Sequence, residues 1–495
     1  MSTYLVLLAK FFSFNGINLP VAGTGLIVVL VTAVAAWREV RYRGLYFLLL
    51  MVFGFSFLLT VLAGNWLLFV VGWELVTLTT SILLLWDDRR AALQYFVLQF
   101  IGSTLLLYVV LLAMSRGYSV PASVGETWLQ NLFVLGLGMK SAFLGFHFWL
   151  PAIYSRASTR FGALSSGLVA KLGFVMLLRL IPGENLLLFY GGLVMIFYGG
   201  IRALRSSDFK IFLAYSSISQ LGYIALATGS GGVVARTGAT VFIVAHALAK
   251  PGLFLAGESW IKDKGETCFF RFRVDFVSHF FEIFTVIVSL ASMAGIPFLL
   301  GYTGKVLVKK AAGDGLLLSL LLYGTGLLTV MYSLRFLVTL LRGKDNAASG
   351  ITGATGFYLL VLPLGIIGGG IMSVLPGWLP GLELPAVDPG SGLLEAGVYI
   401  TLAWFLLGQL DWLRLPEREE PSLDKMVMQV YKFVYRFCRW FRRFDTEIFF
   451  ENFIYRRLKG LARCLHDILY ARFQTQLLWI PLFLIFLLVW VTFAV

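Results

Sequence analysis

Four ionisable residues, Glu74, Lys171, Lys250 and Lys305, stand inside long apolar stretches of this 495-residue sequence. A charge at the centre of a bilayer costs at least about 2.5–3.5 kcal/mol, so a chain that keeps several of them uses them, most simply to move charge through a membrane. Glu74 lies in NWLLFVVGWELVTLTTSILLL (65–85), near the middle of a stretch of spanning length. It needs a proton or a partner. A protonated carboxyl bonded to Thr77 or Ser81 would act as helix-packing glue, whereas an ion pair would have Lys171 as its natural partner. Lys171 sits in FGALSSGLVAKLGFVMLLRL, where Ser165, Ser166 and Gly167 allow close helix approach. A lysine buried beside a carboxylate can gain and lose a proton. Arg179, nearer the end of that span, is expected to snorkel.

His246 and Lys250, in VFIVAHALAKPGLFLAG, are spaced i and i+4 and project from one helix face. Pro251 follows directly and removes a backbone hydrogen bond, so a broken helix with hydratable carbonyls is expected there. A lone histidine is more simply packed against a hydroxyl, but the combination of histidine, lysine and proline favours a role in translocation. Lys305 follows another interruption, MAGIPFLLGYTGKVLVKK, whose Lys309 and Lys310 are expected at the membrane interface.

Such residues require a polytopic, all-helical scaffold, and the composition supplies one. The chain is 59% hydrophobic and only 13% charged, with mean hydropathy +0.85, far from the roughly 25% charged residues of soluble domains. Apolar runs of spanning length recur from Leu19 almost to the end, and about fourteen transmembrane helices are expected. The runs are continuously apolar rather than alternating, which favours helices over a β-barrel, and 51 glycines suit close helix packing. Alternate loops carry Arg38, Arg41 and Arg43; Arg89 and Arg90; Arg156 and Arg160; Arg202, Arg205 and Lys210; and Lys262, Lys264, Arg271 and Arg273. The intervening loops hold little beyond Arg116 and Arg236. This asymmetry places the basic loops in the cytoplasm, so the net charge of +14 reflects topology and anionic lipid, not nucleic-acid binding. The segment 2–14 is read as a partial or interfacial helix rather than a signal peptide.

Cys268, Cys438 and Cys464 stand alone, so neither an iron–sulfur cluster nor a structural zinc is encoded, and no cofactor or metal is expected in this chain. GYTGK (301–305) is not a P-loop, because the glycine spacing is wrong and Val306 stands where a Ser or Thr would hold magnesium.

Five strings, KSAFLGFHFWLP (140–151), ALSSGLVAKLG (163–173), DFKIFLAYSSISQLGY (208–223), HALAKPGLFLAG (246–257) and AGIPFLLGYTGK (294–305), occur in an order and spacing that resemble the antiporter-like membrane subunits. That family is shared by respiratory complex I, Mrp-type sodium/proton antiporters and membrane-bound hydrogenases. The resemblance runs over about 65–342. It implies two inverted five-helix repeats, each containing a broken helix, and a row of ionisable residues across the membrane centre. It further implies that Glu74 and Lys171 form a first-half pair, that Lys250, helped by His246, is the central relay, and that Lys305 lies on the terminal exit path. Lys140, His147 and Lys210, within the same motifs, are auxiliary candidates. ALSSGLVAKLG is more similar to the Mrp and hydrogenase branch. HFWLP runs on as AIYSRASTRFG, without the acidic, Pro-rich continuation usual in the family, and the N-terminus is shorter than usual.

Beyond this core (65–342), preceded by N-terminal spans (1–64) and followed by further spans (343–415), the segment 416–476 combines apolar residues at helical spacing with many arginines and lysines. It reads as an amphipathic lateral helix on the cytoplasmic face, which over about 54 residues would reach about 80 Å. The segment 477–495 is a terminal anchor. The expected function is proton translocation within a multisubunit redox-driven complex of the prokaryotic inner membrane, with other membrane subunits contacted by the lateral helix, and lipids, as partners. The alternatives are an Mrp-type sodium/proton exchanger, an inorganic-carbon uptake system paired with a cytosolic zinc protein, and a structural subunit whose charges only pack.

Overall fold

Short polar side chains in the loops start the helices that the apolar runs build. Asn65, Asp88, Ser158, Asn185 and Asp208 each accept a bond from the backbone N–H three residues on, at 2.8–3.2 Å, satisfying a donor that has no partner within the helix. The computed structural model describes residues 11–37, 40, 43–272, 274, 279–313, 315–342, 357–372 and 389–409. The helices are α1 (Asn18–Ala36), α2 (Arg43–Leu62), α3 (Trp66–Leu84), α4 (Arg89–Ser115), α5 (Thr127–Lys140), α6 (Trp149–Tyr154), α7 (Thr159–Gly167), α8 (Leu172–Leu180), α9 (Leu186–Arg205), α10 (Phe209–Ser230), α11 (Gly232–Lys264), α12 (Phe280–Ala294), α13 (Leu300–Ala312), α14 (Leu316–Arg342), α15 (Val361–Met372) and α16 (Pro389–Gln409). No strand occurs among the described residues, where two isolated bridges, Phe12 with Ala63 and Asp208 with Cys268, are the only β pairing.

Nine helical stretches among the described residues are long and apolar enough to cross a membrane, and three shorter apolar helices accompany them. The chain is a multi-pass membrane protein. It divides into two units, Met1–Glu417 and Arg418–Val495. The expected lateral helix and terminal anchor, and most of the expected N-terminal interfacial segment, lie outside the described residues.

Glycines set the closest approach in the bundle. A Cβ on Gly192 of α9 would lie 2.5 Å from the backbone nitrogen of Leu226 on α10, and one on Gly199 would lie 2.5 Å from that of Ser219, so these helices meet backbone to backbone.

Two spans are broken. Lys140 is the last residue of α5, and the chain turns through 141–148 before α6; α12 and α13 are separated by 295–299, just ahead of Lys305. Each break holds one non-glycine residue in the left-handed region, Ala142 at φ 50° and Phe298 at φ 65°, a conformation that persists only where the surroundings impose it. Trp149 Nε1 donates to Met139 O at 2.9 Å across the first break, and Gly301 N to Ser292 Oγ at 3.1 Å across the second. A further irregularity falls on Lys171 itself, which ends a 3₁₀ turn (Val169–Lys171) between α7 and α8.

The break expected at Pro251 does not occur, since α11 runs unbroken through it for 33 residues. Proline removes only one hydrogen bond, and here its ring is packed: a Cβ on Gly167 of α7 would lie 2.7 Å from Pro251 Cγ. Arg179 is 8% exposed and donates to Ala63 O at 2.7 Å and Val61 O at 3.5 Å, satisfying carbonyls at the end of α2.

Candidate functional site

The candidate residues gather into three groups within the bundle. Lys140, Lys171, His246, Lys250 and Lys305 are 1%, 2%, 1%, 0% and 4% exposed, so each polar head must be satisfied by the protein or by trapped water.

The first group joins α3, α4 and α5. Lys140 Nζ, at the end of α5, donates to Trp73 O at 3.0 Å and Thr77 Oγ1 at 2.7 Å on α3, and stands 3.8 Å from the centre of the Trp73 ring. Glu74, the next residue on α3, is half-buried. The opposite charge that acts on it is Lys140, and Ser103 of α4 is its polar neighbour; Trp73 Nε1 donates to Ser103 Oγ at 3.2 Å. The expected pairing of Glu74 with Lys171 is therefore corrected to Glu74 with Lys140. Thr77 and Ser81 are likewise not partners of Glu74, because Thr77 serves Lys140 and both hydroxyls bond the backbone of their own helix.

The second group joins α7, the 3₁₀ turn that follows it, α10 and α11. Lys171 Nζ donates to Ser166 O, and Ser166 Oγ meets Ser217 Oγ of α10 at 2.9 Å. Lys250 Nζ donates to Leu213 O at 3.0 Å and Ser216 Oγ at 2.7 Å. His246 lies within electrostatic reach of both lysines, yet neither ring nitrogen has a hydrogen-bond partner. A buried imidazole without partners calls for water. A cavity of about 10 Å³, bordered by Lys171 and Ala247 among apolar neighbours, is about the size one water needs.

The third group surrounds Lys305 on α13. Its Nζ is 3.4 Å from Thr329 Oγ1 and 4.5 Å from the centre of the Tyr223 ring. Lys309 and Glu395 are its charged neighbours. Lys309 pairs with Glu395 of α16, and Lys310 is exposed.

Two auxiliary candidates stand apart. His147 lies in the α5–α6 break with its ring 4.8 Å from that of Tyr198. Lys210 lies at the basic-loop end of α10 and donates to Ala157 O at 2.6 Å. There Arg160 meets Glu258 at 2.9 Å, Ser158 N donates to Asp87 Oδ2 at 2.8 Å, and Asp87, Ser158, Arg160, Tyr46 and Trp86 line a cavity of about 230 Å³. Burial pushes the Asp87 carboxyl above its usual range, against the opposing pull of Ser158, Arg160 and Lys210. The folded state thus holds that proton more tightly than the unfolded one. The stability it lends is complete below the unfolded carboxyl value and fades as pH rises through the folded one. Asp87→Asn is expected to flatten this slope at a cost under about 1 kcal/mol, because the amide oxygen still accepts from Ser158, whereas Asp87→Ala should cost about 1–3 kcal/mol. Thermal melts of the detergent-solubilised protein across pH 4–8 would check both.

Ser103, Trp73, Glu395 and Tyr399 are site residues that sequence reasoning missed. Only Glu395 carried a signal, as a lone carboxylate in an apolar run, the same signal that singled out Glu74. Among the described residues, no grouping of three or more His, Cys, Asp or Glu side chains could hold a metal ion.

The family described as NADH:quinone oxidoreductase/Mrp antiporter, TM, matches residues 63–329, and the chain belongs to it. A Staphylococcus aureus protein named antiporter subunit mnhA2 is 29% identical over 302 residues, covering 52% of this chain and 37% of that protein. The chain thus spans well under half the length of that curated relative. Among solved structures, a chain of the Mrp complex from a Dietzia species superposes with TM-score 0.72 at 23% identity, over 93% of this chain and 56% of that one. A chain of respiratory complex I from Thermus thermophilus does so with TM-score 0.65 at 22% identity, over 76% and 89%. The protein is an antiporter-like membrane subunit.

Proposed function

We propose that this chain translocates protons along Glu74, Lys140, Lys171, His246, Lys250 and Lys305, linked by water, as a subunit of a multisubunit redox-driven complex of the prokaryotic inner membrane. The observation that carries this reading is the burial of five ionisable groups on irregular or neighbouring helix segments, with each of the three groups holding a lysine at or close to a break or a 3₁₀ turn. Charge on one lysine alters proton affinity at the next, so a proton arriving at one group displaces one from its neighbour. The inverted-repeat relation between the two broken spans, and the contact of the lateral helix with neighbouring subunits, belong to the same reading. So does the placement of the basic loops in the cytoplasm.

A second reading is cation/proton exchange in an Mrp-type assembly. It is favoured by the name of the Staphylococcus aureus relative and by the wider coverage of this chain by the Mrp subunit than by the complex I subunit. Inverted membrane vesicles from the host, with and without the gene, separate the two. Redox-driven pumping requires that deletion lower acidification during substrate oxidation. Exchange requires that deletion abolish the collapse of a preformed pH gradient on adding sodium ions. If neither response changes, the translocation reading fails.

A further inference from the structure

Outside the segment matched to the family, α16 brings a carboxylate against the Lys305 group. Glu395, on the second turn of α16, pairs with Lys309, and Tyr399, one turn further on, donates its hydroxyl to Glu395. Lys309 lies 3.4 Å from the Tyr399 hydroxyl and 4.7 Å from the centre of the Tyr323 ring. Two glycines admit this helix. A Cβ on Gly392 of α16 would lie 2.2 Å from the Tyr302 hydroxyl, and one on Gly326 of α14 would lie 3.0 Å from the Tyr399 ring. Lys305, Lys309, Glu395 and Tyr399 together line a cavity of about 20 Å³, enough for one water. The chain enters α12 from the basic loop that follows the end of α11 at Lys264 and holds Arg271, and Lys309 is one turn beyond Lys305. The cluster therefore lies on the far side of Lys305 from that loop.

We propose that Glu395 is the group that takes the proton from Lys305 on its way to the outer face, and that Lys309 is the latch that holds this outlet shut. The inference rests on the translocation reading above. The Lys305 ammonium gives its proton, through the single water, to the Glu395 carboxylate; Lys305 becomes a neutral amine and Glu395 a neutral acid. Lys309 then loses its counter-ion and releases the carboxyl, which sheds the proton outward and pairs again. The Lys309 and Glu395 side chains are partly exposed, 22% and 29%, whereas Lys305 is buried, so the Glu395 end is the one from which a proton can leave.

The test compares proton transport in host membrane vesicles carrying wild type, Glu395→Gln, Lys309→Gln, the double Lys309→Gln/Glu395→Gln, and Lys250→Ala, each normalised to the amount of chain in the membrane. Glu395→Gln is expected to lower transport at least about 10-fold, as the loss of a positioned proton acceptor does. The double variant, which removes both charges and so leaves no unpaired ion, should be as slow. Lys309→Gln should raise the passive proton leak several-fold. A pair that only staples α16 to α13 would leave the double variant near wild-type rate and the Lys309→Gln leak unchanged, and either result overturns the proposal. Should Glu395→Gln fail to accumulate, the double variant decides. If Lys250→Ala is inactive while Glu395→Gln is unimpaired, the outlet alone is refuted; if Lys250→Ala transports normally, the translocation reading falls and the outlet with it.

Discussion

Lys140→Met is expected to destabilise the protein by about 3 kcal/mol, and the double variant Glu74→Gln/Lys140→Met to recover most of that stability without recovering transport. Lys140 is the opposite charge that acts on Glu74; removing one of two opposite buried charges leaves the other uncompensated, at up to about 3–5 kcal/mol, whereas replacing both by neutral groups of similar volume is close to neutral. The low end applies because Glu74 is half-buried whereas Lys140 is 1% exposed. Methionine preserves the apolar stem of Lys140 against the Trp73 ring, 3.8 Å from the ammonium it replaces. Unfolding of the purified chain in mixed micelles titrated with dodecyl sulfate reads the stability term, and vesicle transport reads the functional one. Recovery of both in the double variant would make the pair a packing device; recovery of stability alone separates the two roles.

Gly301→Val carries the other large effect. A Cβ at this position would lie 2.0 Å from the carbonyl oxygen of Ser292 and 2.7 Å from its carbonyl carbon. Both are backbone atoms of α12, which cannot move aside as a side chain could. Overpacking of this kind ordinarily costs about 1–3 kcal/mol, and more where backbone must shift. The Gly301 N–H also bonds Ser292 Oγ, so the substitution pries open the break that sets Lys305. Expected are a several-fold fall in membrane-inserted protein and loss of transport in what remains. Gly324→Ala, where no atom lies within 4 Å of the added carbon, serves as the neutral control. Equal accumulation of the two variants, measured by quantitative immunoblot of washed membranes, would refute the close approach of α13 to α12.

The burial of Lys171, Lys250 and Lys305 was legible in the sequence because a charge inside an apolar run stands out against its neighbours. Their partners were less legible. The i and i+4 spacing of His246 and Lys250 fixes which face of α11 they share, but periodicity within one helix says nothing about the helix opposite. Hence Glu74 was assigned to Lys171, when the α5 break delivers Lys140 to Trp73 and Thr77, residues 67 and 63 positions away. Lys140 opens its motif and is by sequence only an auxiliary candidate; what the sequence concealed is that this helix end lies in the interior. The opposite error occurred at Pro251, where local chemistry argues for a break and the packing of Gly167 against the ring sustains a continuous helix. The ordered motifs carried the family, whose match spans residues 63–329. They could not carry Glu395, which lies beyond it.

The central claim is that the buried charges conduct protons instead of packing helices. Proton uptake by the purified assembly in proteoliposomes, comparing wild type with Lys250→Ala and Glu74→Gln after subunit content has been verified, tests it most directly. The account predicts that both variants stay assembled and lose at least about 10-fold in uptake, the loss expected when a positioned proton carrier is removed. Uptake at the wild-type rate in intact Lys250→Ala assemblies would contradict it and place the proton path in another subunit.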